Sequence, residues 1–287
     1  MKNLSKSVII ASLLFSAACK KSHPSSNYDF TVVTSFYPIY IIAKNVTDGV
    51  NGTTVINMTP PVTGCLHDYT ITAGDMTIIE KAGIFLMNGA GMENFSEEIS
   101  KRYPDLTAKE LSAGVKILED NPHIWLSLDN MIIMTMNCSE ILSEKNPSSA
   151  DKYRNNARRY VALIKSLKNK MHLSLDKFKG TKIVTFHEAF PYFAEEFGLQ
   201  IAAVIEREPG SEPSAKELAD TIKLIKNTGI RAVFTEPQYP KTAAEIISKE
   251  TGTKVFVLDP AVTGSDNINA FIDIMEQNLS VLEKALR

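Results

Sequence analysis

The run Asn146–Gly180, NPSSADKYRNNARRYVALIKSLKNKMHLSLDKFKG, decides how the rest of the chain is organised. Tyr153, Ala157, Tyr160, Leu163, Ile164, Leu167, Met171 and Leu175 recur at spacings of three and four, which puts them on one apolar stripe of a helix. Pro147 near its start and Gly180 just past its end are residues that open and close helices. The spacing predicts one helix of about thirty residues across Asn146–Lys179, on the order of 45 Å long at ~1.5 Å per residue. Such a helix is a rigid spine and not a flexible hinge. His172 falls within it and is given no role.

On both sides of the spine, strand and helix alternate. Apolar β-type segments at Phe30–Phe36, Val55–Met58, Ile84–Met87 and Val115–Leu118 precede it, and Lys182–Phe186, Ile201–Ile205, Ala232–Thr235 and Val255–Leu258 follow it. Segments of helical period, Tyr37–Thr47, Thr72–Lys81, Ser214–Asn227 and Lys241–Thr251, separate most of them. This alternation builds parallel sheets from β-α-β units. The expected fold is therefore α/β, with two lobes, each a parallel four-stranded sheet flanked by helices, joined by one long rigid helix. Residues 30–145 form the first lobe, 146–179 the connecting helix and 180–287 the second lobe. A chain of 287 residues has room for two such units.

Ahead of the first lobe, Lys2 and Lys6 precede an apolar run from Val8 to Ala18, which reads as a secretory signal over residues 1–18. That run falls short of the ~20 residues a permanent membrane span needs, and no later segment approaches that length. Ser16-Ala17-Ala18-Cys19 resembles a bacterial lipoprotein signal, with cleavage before a cysteine that becomes lipid-modified, although Ser16 stands where such signals usually carry Leu. Residues 19–29 then form a polar tether, in which His23 is a solvated linker residue. Loss of residues 1–18 removes two lysines and no acids, taking the charge from 31 − 33 = −2 to 29 − 33 = −4. A near-neutral to acidic chain has no electrostatic footprint for nucleic acid. With 44% hydrophobic and 22% charged residues, the composition is that of an ordinary globular chain and excludes a disordered, collagenous or disulfide-dense one.

The chemistry emerges when the other histidines are set on this map. His67 follows the second expected strand, His123 the fourth and His187 the fifth, while Asp259 follows the eighth. Open α/β sheets bind ligands just beyond the carboxyl ends of their strands. Three imidazoles and one carboxylate, two groups from each lobe, form a donor set suited to Zn²⁺. Intervals of 56, 64 and 72 residues match no local zinc motif, so spacing alone leaves three unrelated loop or core histidines as the other reading.

The stretches around these residues carry a resemblance. They are Thr34-Ser35-Phe36-Tyr37-Pro38, His67-Asp68-Tyr69, Asn88-Gly89-Ala90-Gly91-Met92-Glu93, Pro122-His123-Ile124-Trp125-Leu126, Phe186-His187-Glu188-Ala189-Phe190, Gly210-Ser211-Glu212-Pro213-Ser214, Thr235-Glu236-Pro237-Gln238 and Leu258-Asp259-Pro260. In this order, over nearly the whole exported chain, the sequence resembles the metal-binding lipoproteins of bacterial ABC importers, the zinc and manganese solute-binding proteins. The resemblance implies two α/β lobes on one long helix, a protein that is not an enzyme, and a monomer held at the membrane by its lipid alone. It also implies ABC permease and ATPase subunits as partners. His67, His123 and His187 match the family's imidazole positions and Asp259 its carboxylate position. His at the third position points to the zinc branch, with Mn²⁺ as the second candidate cargo, and imidazole suits Zn²⁺ where oxygen-only shells suit Mn²⁺. The site would lie facing the periplasm or the cell exterior.

The chain departs from the family in three places. It lacks a His-rich loop between the first two ligands, Ser127-Leu128 replaces Asp-Pro, and Thr70–Ala73 replaces a Glu-Pro-rich segment. Asp68 and Glu188, each following a candidate ligand, and Glu236 at a strand end are candidates for orienting the imidazoles. Trp125, Phe190 and Tyr192 read as packing around the cleft. Cys65 and Cys138 read as two free buried thiols, the other options being a disulfide and, for Cys65, a zinc ligand. Two other functions share these features: an exported zinc hydrolase with Glu188 or Asp68 as general base, and a surface adhesin on the same fold. Four ligands would close the sphere against hydrolysis, and no His-Glu-x-x-His helix is present.

Overall fold

The computed structural model describes residues 30–60, 64–66, 69–205, 213–230, 232–238 and 242–287. Cys19, His23, His67 and Asp68 lie outside the described residues, as do the segment 1–29 and most of the Gly210–Ser214 stretch. In the first lobe, strands β1 (Phe30–Thr34), β2 (Thr53–Asn57), β3 (Ile84–Met87) and β4 (Ala108–Glu110) alternate with helices α1 (Tyr37–Thr47), α2 (Ala73–Ile79) and α3 (Ser96–Arg102). Helix α4 (Leu128–Lys145) returns the chain to the spine, α5 (Ala150–Leu175). The second lobe holds β5 (Lys182–Thr185), α6 (Pro191–Phe197), β6 (Gln200–Val204), α7 (Ala215–Thr228), β7 (Ala232–Thr235), α8 (Thr242–Thr251), β8 (Lys254–Val257) and α9 (Ala270–Ala285). No helix among the described residues is long and apolar enough to cross a membrane.

Both sheets are parallel and share one strand order, β2-β1-β3-β4 and β6-β5-β7-β8. In each, the winding reverses between the first and third strands of the lobe. A crevice therefore opens at the carboxyl ends of β1 and β3, and another at those of β5 and β7.

The spine has 26 α-helical residues, about 39 Å at 1.5 Å each, with a 3₁₀ turn at either end, Pro147–Ser149 and Asp176–Phe178. Its buried stripe is Tyr153, Ala157, Tyr160, Val161, Ile164, Leu167, Met171 and Leu175. Leu163, expected on that stripe, is 44% exposed, because the stripe follows the spacing 157, 160/161, 164 and leaves residue 163 on the flank. The buried face packs on α1 and α4 of the first lobe and α9 of the second, so one helix is shared by both cores.

The fourth strand is not where the apolar run suggests. Val115–Leu118 is irregular, with Val115 and Leu118 half-buried against the core, and left-handed residues follow it at Glu119 (φ 46°) and Asp120 (φ 57°). The strand is instead Ala108–Glu110, pairing Phe85 with Ala108 and Met87 with Glu110. At a sheet edge, Lys109 and Glu110 face solvent, so the segment has no apolar signature. The departures from the family pattern are locally repaired. Thr72 caps α2 in a reciprocal box with Asp75, and Ser127 accepts from Asn130 N–H to cap α4.

The lobes are tied along one side. Tyr37 Oη donates to Ser265 O at 2.8 Å, Tyr40 Oη to Asp266 Oδ1 at 2.7 Å and Asn45 Nδ2 to Ile268 O at 2.7 Å. Gly264 permits this approach, since a Cβ there would sit 2.3 Å from the Tyr37 hydroxyl.

Candidate metal centre

At the crevice of the first sheet a buried carboxylate organises the backbone. Glu93 accepts from Ser35 Oγ (2.7 Å) just past β1, and from the N–H groups of Asn88 (2.7 Å) and Gly89 (3.0 Å) just past β3. Burial pushes its carboxyl up to about 7 against the lowering pull of these donors. Asn88 in turn donates through Nδ2 to Pro122 O at 2.9 Å, fixing the residue before His123. His123 thus reaches the sheet end although no strand precedes it directly; a loop carries it there and Asn88 holds the loop.

Asn121 sets the His123 ring. Its Oδ1 accepts from the His123 backbone N–H and lies 2.9 Å from His123 Nδ1. With Nδ1–H donating to Asn121, Nε2 is the unprotonated ring nitrogen, the arrangement that metal-binding histidines use. Asn121 Nδ2 also donates to Glu188 O at 2.8 Å, linking the segment before His123 to the residue after His187 in the other lobe. Asn121→Ala is expected to weaken divalent-metal binding by about 10- to 100-fold with little loss of fold, checked by competition with a chelating dye.

In the second lobe His187 follows β5 and Glu236 follows β7, so both stand at the crevice of that sheet. Glu236 Oε1 is 3.6 Å from His187 Nδ1, and both side chains are buried. Burial raises the Glu236 carboxyl above its ordinary value, outweighing the lowering influence of His187. Asp259, past β8, is fixed by two backbone bonds to Asn278, and its Oδ1 accepts from Ala261 N–H at 2.8 Å. Burial raises its carboxyl as well.

The two lobes meet at His123 and His187, whose rings lie edge to face with centroids 4.7 Å apart. Cys65 joins them: its sulfur and one ring nitrogen of each histidine all lie within 4.8 Å of one another. Asp259 stands outside this trio. Of the residues expected to orient the imidazoles, Glu236 faces His187, whereas Glu188 engages Asn121 through its backbone carbonyl and lines a cleft with Glu119, Asp120 and Pro191. Both described cysteines are free thiols, Cys138 fully buried in α4 and Cys65 half-buried. Burial, and then the charge of Glu236, pushes the Cys65 thiol well above its usual range. Asn121 carried a sequence signal only in standing two residues before a histidine, and Cys65 only in standing two residues before His67.

Comparison with known proteins finds metal-binding relatives over nearly the whole chain. Over 97% of its length the chain is 28% identical to the zinc-binding lipoprotein AdcA of Streptococcus pneumoniae, and it spans 60% of that longer relative. It is 26% identical to the high-affinity zinc uptake system protein ZnuA of Bacillus subtilis, covering 97% of this chain and 96% of that one. Among solved structures it resembles the solute-binding protein FpvC of Pseudomonas aeruginosa in complex with Mn²⁺, with a TM-score of 0.81 and 27% identity over 90% of this chain and 98% of that one. The model of the zinc-uptake complex component A periplasmic family, ZnuA, matches residues 32–285, from the third residue of β1 to the last of α9, and the chain belongs to that family.

Proposed function

We propose that the chain is the extracytoplasmic solute-binding component of an ABC importer, capturing Zn²⁺, or Mn²⁺ as the second candidate, between its lobes and delivering it to a permease. One observation carries the reading: His123 of the first lobe and His187 of the second stand ring against ring, 4.7 Å between centroids, with Asn121 Oδ1 2.9 Å from His123 Nδ1 and Glu236 Oε1 3.6 Å from His187 Nδ1. His67, His123, His187 and Asp259 form the proposed ligand set, with Glu236 orienting His187. Zn²⁺ binds nitrogen at about 2.0–2.1 Å, so adjacent nitrogens of a tetrahedral site lie about 3.3 Å apart, within reach of small side-chain shifts here. Bound metal bridges two lobes that already share α5, and the permease would read small shifts and loop ordering instead of wide closure. The names of AdcA and ZnuA support zinc as cargo. Export through residues 1–18, anchoring through Cys19 and a monomeric state complete the reading.

Calorimetry on metal-stripped protein tests it. The expected result is one Zn²⁺ per chain at nanomolar affinity, about −12 kcal/mol, with Zn²⁺ displacing Mn²⁺. Absence of binding would contradict it, and displacement of Zn²⁺ by Mn²⁺ would make Mn²⁺ the cargo.

A further inference from the structure

Cys65 is the one member of the central trio that the proposed ligand set does not use. Left-handed Gly64 (φ 82°) precedes it and fully buried Leu66 follows, so the segment is anchored where the thiol meets His123 and His187. A tetrahedral centre with a Zn–S bond of about 2.3 Å and Zn–N bonds of about 2.0–2.1 Å places sulfur and nitrogen about 3.6 Å apart. Separations of at most 4.8 Å close to that value with movements of about 1 Å. Asp259 is less free: its Oδ1 is committed to Ala261 N–H, its backbone is held at two points by Asn278, and it lies outside the trio.

We propose that Cys65 is a ligand of the cargo ion, taking the fourth place that the set above gives to Asp259 and making the site a mixed thiolate–imidazole centre that takes thiophilic divalent cations, Zn²⁺, Co²⁺ and Cd²⁺, ahead of Mn²⁺. This rests on the metal-capture reading above and names the chemistry of that same site. On binding, the sulfur lone pair forms the metal–sulfur bond and the thiol proton passes to solvent; a coordinating thiol is deprotonated outright beside a divalent cation. Nothing is oxidised or reduced. Thiolate selects soft and borderline metals, whereas Mn²⁺ prefers oxygen donors. A sulfur donor therefore excludes Mn²⁺ more strongly than a fourth oxygen or nitrogen would.

The test is a Co²⁺ titration of the metal-stripped full chain under reducing conditions, followed by absorbance. The expected result is a thiolate-to-cobalt charge-transfer band in the near ultraviolet that saturates at one Co²⁺ per chain. It vanishes in Cys65→Ser and Cys65→Ala and persists in Cys138→Ser. In Cys65→Ser, Zn²⁺ affinity is expected to fall by about 100-fold and the preference for Zn²⁺ over Mn²⁺ by at least ~10-fold. The native spectrum carries the test even if a variant folds poorly. Stoichiometric Co²⁺ binding with visible bands and no charge-transfer band would overturn the thiolate ligand and leave metal capture standing. A band that follows Cys138 would also overturn it. No binding of Co²⁺ or Zn²⁺ at all would overturn both.

Discussion

His187→Ala is expected to lower Zn²⁺ affinity by about 100- to 1,000-fold. Four-ligand zinc sites in small peptides bind with ~10–16 kcal/mol, roughly 3 kcal/mol for each donor, and every 1.4 kcal/mol is tenfold. The second lobe contributes His187 from the end of β5, so its loss also unlinks the lobes at the crevice. The substitution leaves Glu236 buried without the imidazole that faces it at 3.6 Å, and some fall in stability of the metal-free protein accompanies it. Pairing His187→Ala with Glu236→Gln separates the two effects: the double variant recovers apo stability but not metal affinity. His123→Ala, from the first lobe, should cost a similar factor. Thermal unfolding with and without Zn²⁺ gives an independent reading, because a ligand at ~1,000 times its Kd stabilises by about 4 kcal/mol and that increment falls to about 0.4–1.4 kcal/mol in either variant. Retention of the full Zn²⁺-dependent shift in both would remove these histidines from the site.

Trp125→Ala is expected to destabilise the metal-free protein by about 3–5 kcal/mol. The indole is fully buried in the 3₁₀ turn Ile124–Leu126, packed edge-on against Phe36 at 5.1 Å and against His123 at 5.2 Å between ring centroids. Its Nε1–H crosses to the second lobe and donates to Pro260 O at 2.8 Å, beside Asp259. The alanine variant therefore opens a cavity under His123 and strands a carbonyl on the other lobe. Trp125→Phe keeps most of the packing and loses only the hydrogen bond, at a cost nearer 1 kcal/mol. Urea unfolding followed by circular dichroism measures both; Trp125 is the sole tryptophan, so tryptophan fluorescence cannot follow the variants. A loss below about 1 kcal/mol in Trp125→Ala would show that the turn is not an inter-lobe anchor.

Much of the fold was legible because it is written in local periodicity. The α5 stripe, the apolar runs of β1, β3, β5 and β7 and the helical period of α1 and α7 each read directly from neighbouring residues. Strand β4 was not legible: three residues at a sheet edge, two of them exposed and charged, carry no apolar run, while the apolar Val115–Leu118 segment packs without pairing. Short α3 and α6 and the longer α9 were not read as helical segments, whereas α2, also of seven residues, was. At the site, His187 stands just past β5 as read, whereas the strand-end reading of His123 fails: a loop held by Asn88 carries it to the crevice. Asn121 was not legible, because an amide that orients one ring and bonds the opposite lobe acts through tertiary proximity that one-dimensional spacing does not encode, and Cys65 was legible only as one option among three, since spacing does not show that its thiol meets two histidines from distant segments.

The central claim is that one cargo ion is held where the two lobes meet. Anomalous diffraction at the zinc edge, on crystals of the Zn²⁺-loaded full-length chain, tests it most directly. The expected result is a single strong peak about 2.0–2.1 Å from one ring nitrogen of His123 and one of His187. A peak elsewhere on the surface, or one bonded to residues of a single lobe, would contradict it.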